Sequence, residues 1–293
     1  MNLFVNNVFY RALRISHADT LSYYALLSSE IEPLPHQIEA VYSIMLNRSP
    51  LRFILADDPG AGKTIMTGLY IQELFIRKEL SSCIIIAPGS LAEQWQDELA
   101  SKFHMDFGIF PDECSSDSPF IIARLDTIAR SKDLTQQLSS RSWDLAVIDE
   151  AHKLSAQVSG NETHYTKRFR LGQLLSQHSR SFLMLTATPH NGKPKDYQQF
   201  ISLLRTESPS RQIRRLLKEN LLTFDCNPLF PERKALTVSY SLSASEYGLY
   251  ENVTAYVRTQ FNLADRLDTK RKNSVGFALT ILQRRLASSP EAI

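Results

Sequence analysis

Five short apolar runs, each separated from the next by a helix-like pattern, restrict this 293-residue chain more than any other feature. They are Phe53–Ala56, Cys83–Ala87, Phe120–Ala123, Leu145–Ile148 and Phe182–Thr186. Such runs, rich in Ile, Leu, Val and Phe, are the sign of buried parallel strands in βαβ units. The intervening patterns predict helices over Lys63–Lys78 and over Leu91–Phe103. The second follows the turn Pro88–Gly89–Ser90, with Ser90 as its N-cap. The expected fold class is α/β, a doubly wound and mainly parallel sheet.

Around that sheet the punctuation suggests three parts. Residues 1–32 read as an accessory helical region, and Pro33–Leu34–Pro35 marks its end before a helix opening near His36. Residues 33–206 hold the five runs. Residues 207–293 are a basic bridging and helical segment, in which Leu236–Ser241 alternates like a short strand. Helical patterns follow over Ala244–Phe261 and Asn273–Leu286, with Lys270–Arg271–Lys272 between them. Ser155–Tyr165 is polar and reads as a mobile loop.

Charge is divided unevenly. Residues 1–150 carry 12 Lys/Arg against 20 Asp/Glu, a balance of −8, whereas residues 151–293 carry 21 against 11, or +10. A basic half is a footprint for a polyanion, and equally a set of solvated helix faces. The three cysteines, Cys83, Cys114 and Cys226, are far apart and odd in number. Free buried thiols in a reducing compartment fit that pattern better than disulfides or a zinc site. No apolar run approaches the roughly 20 residues that span a bilayer, so no membrane partner is expected and the localisation is read as cytoplasmic.

The chemistry concentrates at the ends of the runs. Ala56–Thr64, ADDPGAGKT, lies directly after a strand and directly before a helix. Gly60 and Gly62 permit a backbone that turns successive N–H groups inward, and the helix N-terminus adds partial positive charge. Asp58, Pro59, Gly60, Ala61 and Gly62 then cradle a triphosphate. Lys63 reaches the β/γ-phosphates and the Thr64 hydroxyl ligates magnesium. Asp57 stands where the strict phosphate-loop pattern has its first glycine. The strand Trp143–Ile148 ends in Asp149–Glu150–Ala151–His152, and acids at a strand's carboxyl end face the ligand crevice. Asp149 would hold the metal and Glu150 would orient and deprotonate the attacking water. Leu185–Thr186–Ala187–Thr188–Pro189 closes another strand with small hydroxyl residues suited to sensing the γ-phosphate. Gln37, in Pro35–His36–Gln37, has an amide that can read adenine. Trp95 has apolar neighbours at helical spacing and reads as core rather than as a base-stacking residue. Lys167–Arg168–Phe169–Arg170 is a run able to touch a phosphate backbone.

The ordered set PHQ, ADDPGAGKT, IIIAPGSLAEQW, DEAH and LTATPHNG resembles the N-terminal motor lobe of a superfamily-two helicase. It is most similar to the Swi/Snf-like double-stranded DNA translocases, including prokaryotic members of the kind found in phage defence. The likeness covers residues 33–204, and residues 228–293 look like the segment leading into a second lobe. It implies a RecA-like P-loop three-layer sandwich, ATP and Mg2+ as ligand and cofactor, double-stranded DNA as partner, and other defence or remodelling proteins as further partners. By the same resemblance Gln37 is the adenine-reading residue, Lys63 and Thr64 the phosphate-loop pair, and Asp149 and Glu150 the metal and water-activating acids. Thr186 and Thr188 couple nucleotide state, and Pro88, Gly89 and Asp126 lie near the nucleic-acid track; His152, which closes the DEAH string, reads either as a link from nucleotide state to the TATP turn or as a structural histidine. The chain shows no pattern for the arginine fingers that a second RecA-like lobe supplies. Such fingers are worth roughly 10³–10⁵ in turnover, so the expectation is half a motor, needing a second lobe in cis or trans. Two alternatives stay open: an RNA or single-strand DEAH-type helicase lobe, and a non-catalytic nucleotide-binding interaction module.

Overall fold

A computed structural model of the chain describes residues 23–159, 162–189, 193–231, 243–264, 278–282 and 284. The first 22 residues, the alternating segment Leu236–Ser241, the Lys270–Arg271–Lys272 cluster and most of Asn273–Leu286 lie outside these. The chain divides into two compact units, Met1–Arg233 and Lys234–Ile293.

All five apolar runs are strands, within a residue or a few of their predicted ends. In the first unit β1 (Arg52–Leu55), β2 (Cys83–Ala87), β3 (Gly108–Phe110), β4 (Phe120–Arg124), β5 (Trp143–Ile148), β8 (Ser179–Leu185) and β9 (Ile213–Arg214) form one sheet of order β3-β4-β2-β5-β8-β1-β9. Every pairing in it is parallel. Both faces are covered, as an all-parallel sheet requires. Phe53, Leu55, Ile85, Val147 and Leu185 point to one core with the helices Lys63–Ile76 and Ala92–Phe103. Ile54, Ile86, Ile148 and Met184 point to the other, with Leu125–Arg130, Lys132–Ser139 and Lys167–Gln177. The result is the expected RecA-like three-layer α/β sandwich. β9 lies in the basic stretch after residue 206 and extends the sheet beyond the five runs, Ile54 pairing with Ile213 and Leu55 with Arg214.

The register levels the strand ends. Ile86 pairs with Ile148, Ile148 with Met184, and Leu185 with Leu55. The loops after β5, β8 and β1 therefore leave the sheet side by side, each strand about 4.8 Å from the next.

The helix Lys63–Ile76 is held by its own buried charge. Glu73, fully buried, accepts hydrogen bonds from Tyr42 Oη (3.0 Å), Arg77 Nε (3.0 Å) and the backbone N–H of Ala25 (3.2 Å). A buried carboxylate is tolerable only with such partners. The bonds also tie the helices Tyr24–Ser28 and Pro35–Ile38, the latter continued by wider turns through Met45, to the phosphate-loop helix.

Three expectations are corrected. Ser90 caps no helix: Leu91 N–H bonds to Pro88 O (2.9 Å), closing a tight turn over Gly89–Leu91, and the helix starts only at Ala92. The polar segment Ser155–Tyr165 supplies an antiparallel pair, β6 (Ala156–Ser159) and β7 (Glu162–Tyr165), in which Ala156 pairs with Tyr165 and Val158 with Thr163. Cys226 is exposed, in a turn where Cys226 N–H bonds to Thr223 O (3.0 Å), while Cys83 is buried and Cys114 half-buried. All three are free. No helix among the described residues is long and apolar enough to cross a membrane.

In the second unit the helix Ala244–Ala264 opens on a capping box. Ser243 Oγ accepts from Glu246 N–H (3.3 Å), and Glu246 Oε2 accepts from Ser243 N–H (2.8 Å).

Gly68, mid-helix, shows how tightly the first core is filled. A Cβ there would meet Phe103 Cε2 at 2.2 Å, and Phe103 is buried. Alanine normally gains about 1 kcal/mol over glycine in a helix, whereas overpacking costs about 1–3 kcal/mol. Gly68→Ala is therefore expected to lower the stability of the first unit, by up to about 2 kcal/mol on those figures, in denaturant unfolding. A gain in stability would show that the interface between the two helices is loose.

Candidate nucleotide site

The turn after β1 is built by its glycines. Gly60 and Gly62 both have φ +84°, a left-handed conformation costly for any residue with a Cβ. Gly62 is constrained twice, since a Cβ there would lie 2.2 Å from Gln37 Nε2. The turn delivers the chain into the helix Lys63–Ile76, whose N-terminal N–H groups receive no side-chain cap. Uncapped N–H groups on a left-handed turn form a ready anion cradle.

Gln37 and His36 pin this loop from above. Gln37 Nε2 donates to Ala61 O (3.1 Å), its Oε1 accepts from Leu34 N–H (3.0 Å), and His36 Nε2 reaches the same Ala61 carbonyl (2.8 Å). Burial pushes the His36 ring below its ordinary value, which favours the neutral ring.

Lys63 Nζ donates to the loop carbonyls of Asp57 (2.6 Å) and Asp58 (3.2 Å). Burial pushes its ammonium below the usual lysine range. The charges of Asp57, Glu150, Asp149 and Asp58 oppose that, so the loop lysine sits within the field of both acids of the β5 turn. Thr64 and Asp149 line one cavity of about 50 Å³, together with Leu91, Gln94, Trp95 and Glu98. A hydroxyl and a carboxylate converging on a space large enough for water is the donor chemistry that suits a hard divalent cation such as Mg2+.

Asp149 is held rigidly. Its Oδ2 accepts from Trp95 Nε1 (2.9 Å) and its Oδ1 from Glu150 N–H (2.8 Å). Burial raises the Asp149 carboxyl above its ordinary value; the indole N–H pulls the other way and the Glu150 charge adds to the rise. Glu150 has φ +46°, a left-handed conformation that non-glycine residues hold only where surroundings enforce it. Its Oε2 lies 3.1 Å from His152 Nδ1, which lies 3.4 Å from Thr186 Oγ1, and Thr186 Oγ1 accepts from Thr188 N–H (3.1 Å). One polar chain thus runs from the β5 turn to the β8 turn.

The remaining predicted residues are placed less centrally. Asp58 Oδ2 accepts from Lys218 N–H (3.1 Å), and Pro59 is on the exposed outer side of the turn. Pro88 and Gly89 follow β2. Asp126, in the first turn of the helix Leu125–Arg130, is paired with Arg168 Nε (2.6 Å).

Two residues at the site escaped the sequence reading. Trp95 is core as expected, but its indole N–H also orients Asp149. Arg214, on β9, carries the other. Its Nη1 donates to Asp57 Oδ2 (2.9 Å), and its Nη2 donates to His36 O (3.0 Å) and lies 3.3 Å from Glu39 Oε2. Asp57 is wholly buried, and Oδ1 also accepts from Leu216 N–H (2.9 Å). The acid in the glycine's place is therefore one half of a buried ion pair that locks the phosphate loop and the Gln37 segment to the last strand. A buried acid just after an apolar strand is the signal that a cation faces it; nothing local says that the cation is 157 positions away.

The family pattern described as "Type III restriction enzyme, res subunit" matches residues 30–191, over half of the chain. The RNA polymerase-associated protein RapA of Yersinia pseudotuberculosis is 32% identical over 189 residues, covering 61% of this chain and 19% of RapA. The chain thus spans about a fifth of the length of the curated relatives it matches. Among solved structures, the Sulfolobus solfataricus SWI2/SNF2 ATPase core in complex with dsDNA superposes with a TM-score of 0.53 at 21% identity, over 91% of this chain and 60% of that one. The Pyrococcus furiosus Hef helicase domain gives 0.51 at 16%, over 88% and 53%.

Removing one partner of a buried pair leaves an uncompensated charge and costs about 3–5 kcal/mol. Arg214→Ala is expected to destabilise the first unit by about that much in denaturant unfolding. Arg214→Lys should restore only part of it, because an ammonium cannot serve Asp57, His36 O and Glu39 from one planar fork. A loss under about 1 kcal/mol for Arg214→Ala would mean that the pair is solvated and the lock absent.

Matched over more than half its length, and folded like the SWI2/SNF2 ATPase core on which it superposes, the chain belongs to the family described as "Type III restriction enzyme, res subunit".

Proposed function

We propose that this lobe binds Mg·ATP on the turn around Gly60–Thr64 and serves as the ATPase half of a translocase acting on double-stranded DNA. The observation that carries the reading is the shared cavity of Thr64 and Asp149, beside a lysine that lies in the field of Asp57, Glu150, Asp149 and Asp58. Thr64 and Asp149 would hold the magnesium ion, which when bound neutralises charge developing on phosphoryl oxygens.

In this reading the loop's own residues do the rest. Lys63 exchanges the carbonyls of Asp57 and Asp58 for phosphate oxygens, a substitution its present contacts allow without loss of hydrogen bonding. Gln37 spends one N–H on Ala61 and one lone pair on Leu34 N–H, so one donor and one acceptor remain for an adenine edge. Glu150, half-exposed with its Oε2 3.1 Å from His152 Nδ1, takes the proton of the attacking water. His152, Thr186 and Thr188 would report phosphate loss to the β8 turn.

Double-stranded DNA as the partner is supported by the dsDNA that the Sulfolobus solfataricus core is described with, and by the basic balance of residues 151–293. A second RecA-like lobe, in cis or trans, is needed for arginine fingers, so turnover by this chain alone should be slow. Protein partners fit the description of RapA as RNA polymerase-associated.

Lys63→Ala is expected to abolish ATP binding, measured by titration calorimetry; unchanged affinity would refute the phosphate assignment. Glu150→Gln should bind ATP normally and lose turnover, measured as phosphate release with a second lobe supplied. Wild-type turnover in that variant would remove Glu150 from the reaction.

A further inference from the structure

A second concave feature lies on the opposite face of the sheet from the phosphate-loop helix. It is a groove of about 650 Å³ between the helices Leu125–Arg130 and Lys132–Ser139 on one side and Lys167–Gln177 on the other. Four of its lining residues are cations: Arg130, Lys132, Lys167 and Arg170. All are exposed, and none has an ion-pair partner among the described residues. No acidic side chain lines it. Of the acids on these elements, Asp126 is paired with Arg168, and Asp133, exposed in the first turn of the helix Lys132–Ser139, is not among the lining residues.

The placement of Lys132, Lys167 and Arg170 is electrostatically unfavourable for the lobe by itself, whereas Arg130 sits in the last turn of its helix. Lys167, Arg168 and Arg170 fall in the first turn of an 11-residue helix that has no acid there, and Lys132 opens the eight-residue helix capped by Ser131. Positive side chains at a helix N-terminus oppose the macrodipole, and an anion relieves both. The floor is of another kind, with Leu171 buried and Leu174 half-buried. A rim of cations over an aliphatic floor, too large for one phosphate, matches a polymer with repeated charges and an apolar sugar between them. Topology also puts it within reach of the motor. The helix Leu125–Arg130 leaves the carboxyl end of β4, on the same sheet edge as the loops after β1, β5 and β8.

We propose that this groove, through Arg130, Lys132, Lys167 and Arg170, holds the sugar-phosphate backbone of one strand of duplex DNA, without reading its bases. The proposal rests on the duplex-DNA reading above. It assigns contact to residues distinct from Pro88, Gly89 and Asp126.

The test compares two charge-matched variants of the full chain by anisotropy of a labelled duplex across a salt series. Lys132→Gln/Lys167→Gln removes two groove cations. Lys78→Gln/Arg180→Gln removes two exposed cations from the amino edge of the sheet. Each phosphate contact contributes about 0.9 to the slope of log affinity against log salt, so the groove variant should lose about two from that slope and bind roughly ten-fold more weakly at fixed salt. The edge variant should match wild type, and both should keep wild-type ATP affinity, which reports an intact lobe. Equal slopes for wild type and the groove variant, with wild type binding the duplex, would overturn the groove while leaving the duplex reading standing. Failure of wild type to bind duplex at low salt would end both. Retained duplex binding with lost binding to polyglutamate would assign the groove to an acidic protein instead.

Discussion

The common height at which β2, β5, β8 and β1 end is the constraint on which the rest depends. Parallel pairing sets Ile86 against Ile148, Ile148 against Met184 and Leu185 against Leu55, so three chemically distinct loops emerge on three adjacent strands. A slip by one residue would turn every side chain to the opposite core and separate the phosphate turn from the acidic one. The two filled cores are what forbid that slip. Site geometry is thus a by-product of hydrophobic packing on both faces of the sheet.

That geometry collects charge where water is scarce. Asp57, Asp58, Asp149 and Glu150 surround a single lysine, and an isolated buried ion is costly. The lobe settles most of these charges permanently. Asp57 has Arg214 and Leu216 N–H, Asp58 has Lys218 N–H, and Asp149 has Trp95 and Glu150 N–H. Lys63 and Glu150 are treated differently. Lys63 is held by backbone carbonyls of its own loop, and Glu150 by a histidine on the next turn. Both contacts are local to their own turns, unlike the long-range pairs of Asp57 and Asp149.

Family membership and fold locate the lobe in a larger design. Relatives such as RapA are about five times as long as the stretch they share with this chain, so the shared part is a module within them. The glycine turn, the cavity shared by Thr64 and Asp149, and Glu150 lie at one edge of the sheet, and the groove lined by four cations lies on a neighbouring helical layer. The polar chain from Glu150 through His152 to Thr186 joins the turns after β5 and β8.

Much of this was written locally. The five strands, the helix after Gly62, the left-handed glycines, the acids at the end of β5 and the threonines at the end of β8 all follow from apolar runs and from the few residues whose chemistry admits only certain backbones. What stayed hidden involved partners distant in the chain or ladders too short to register. Strand β9 has two residues, and β6 and β7 were masked by polar composition. Trp95 could be recognised as core but not as the donor that aims Asp149. Asp57 was visible only as a departure from a glycine pattern. By itself, then, the sequence determined the elements, the loop chemistry and the family. Tertiary structure alone decided which cation neutralises Asp57 and which four basic side chains gather in one groove, because charge partners are selected by proximity in space and proximity is set by how the two cores close.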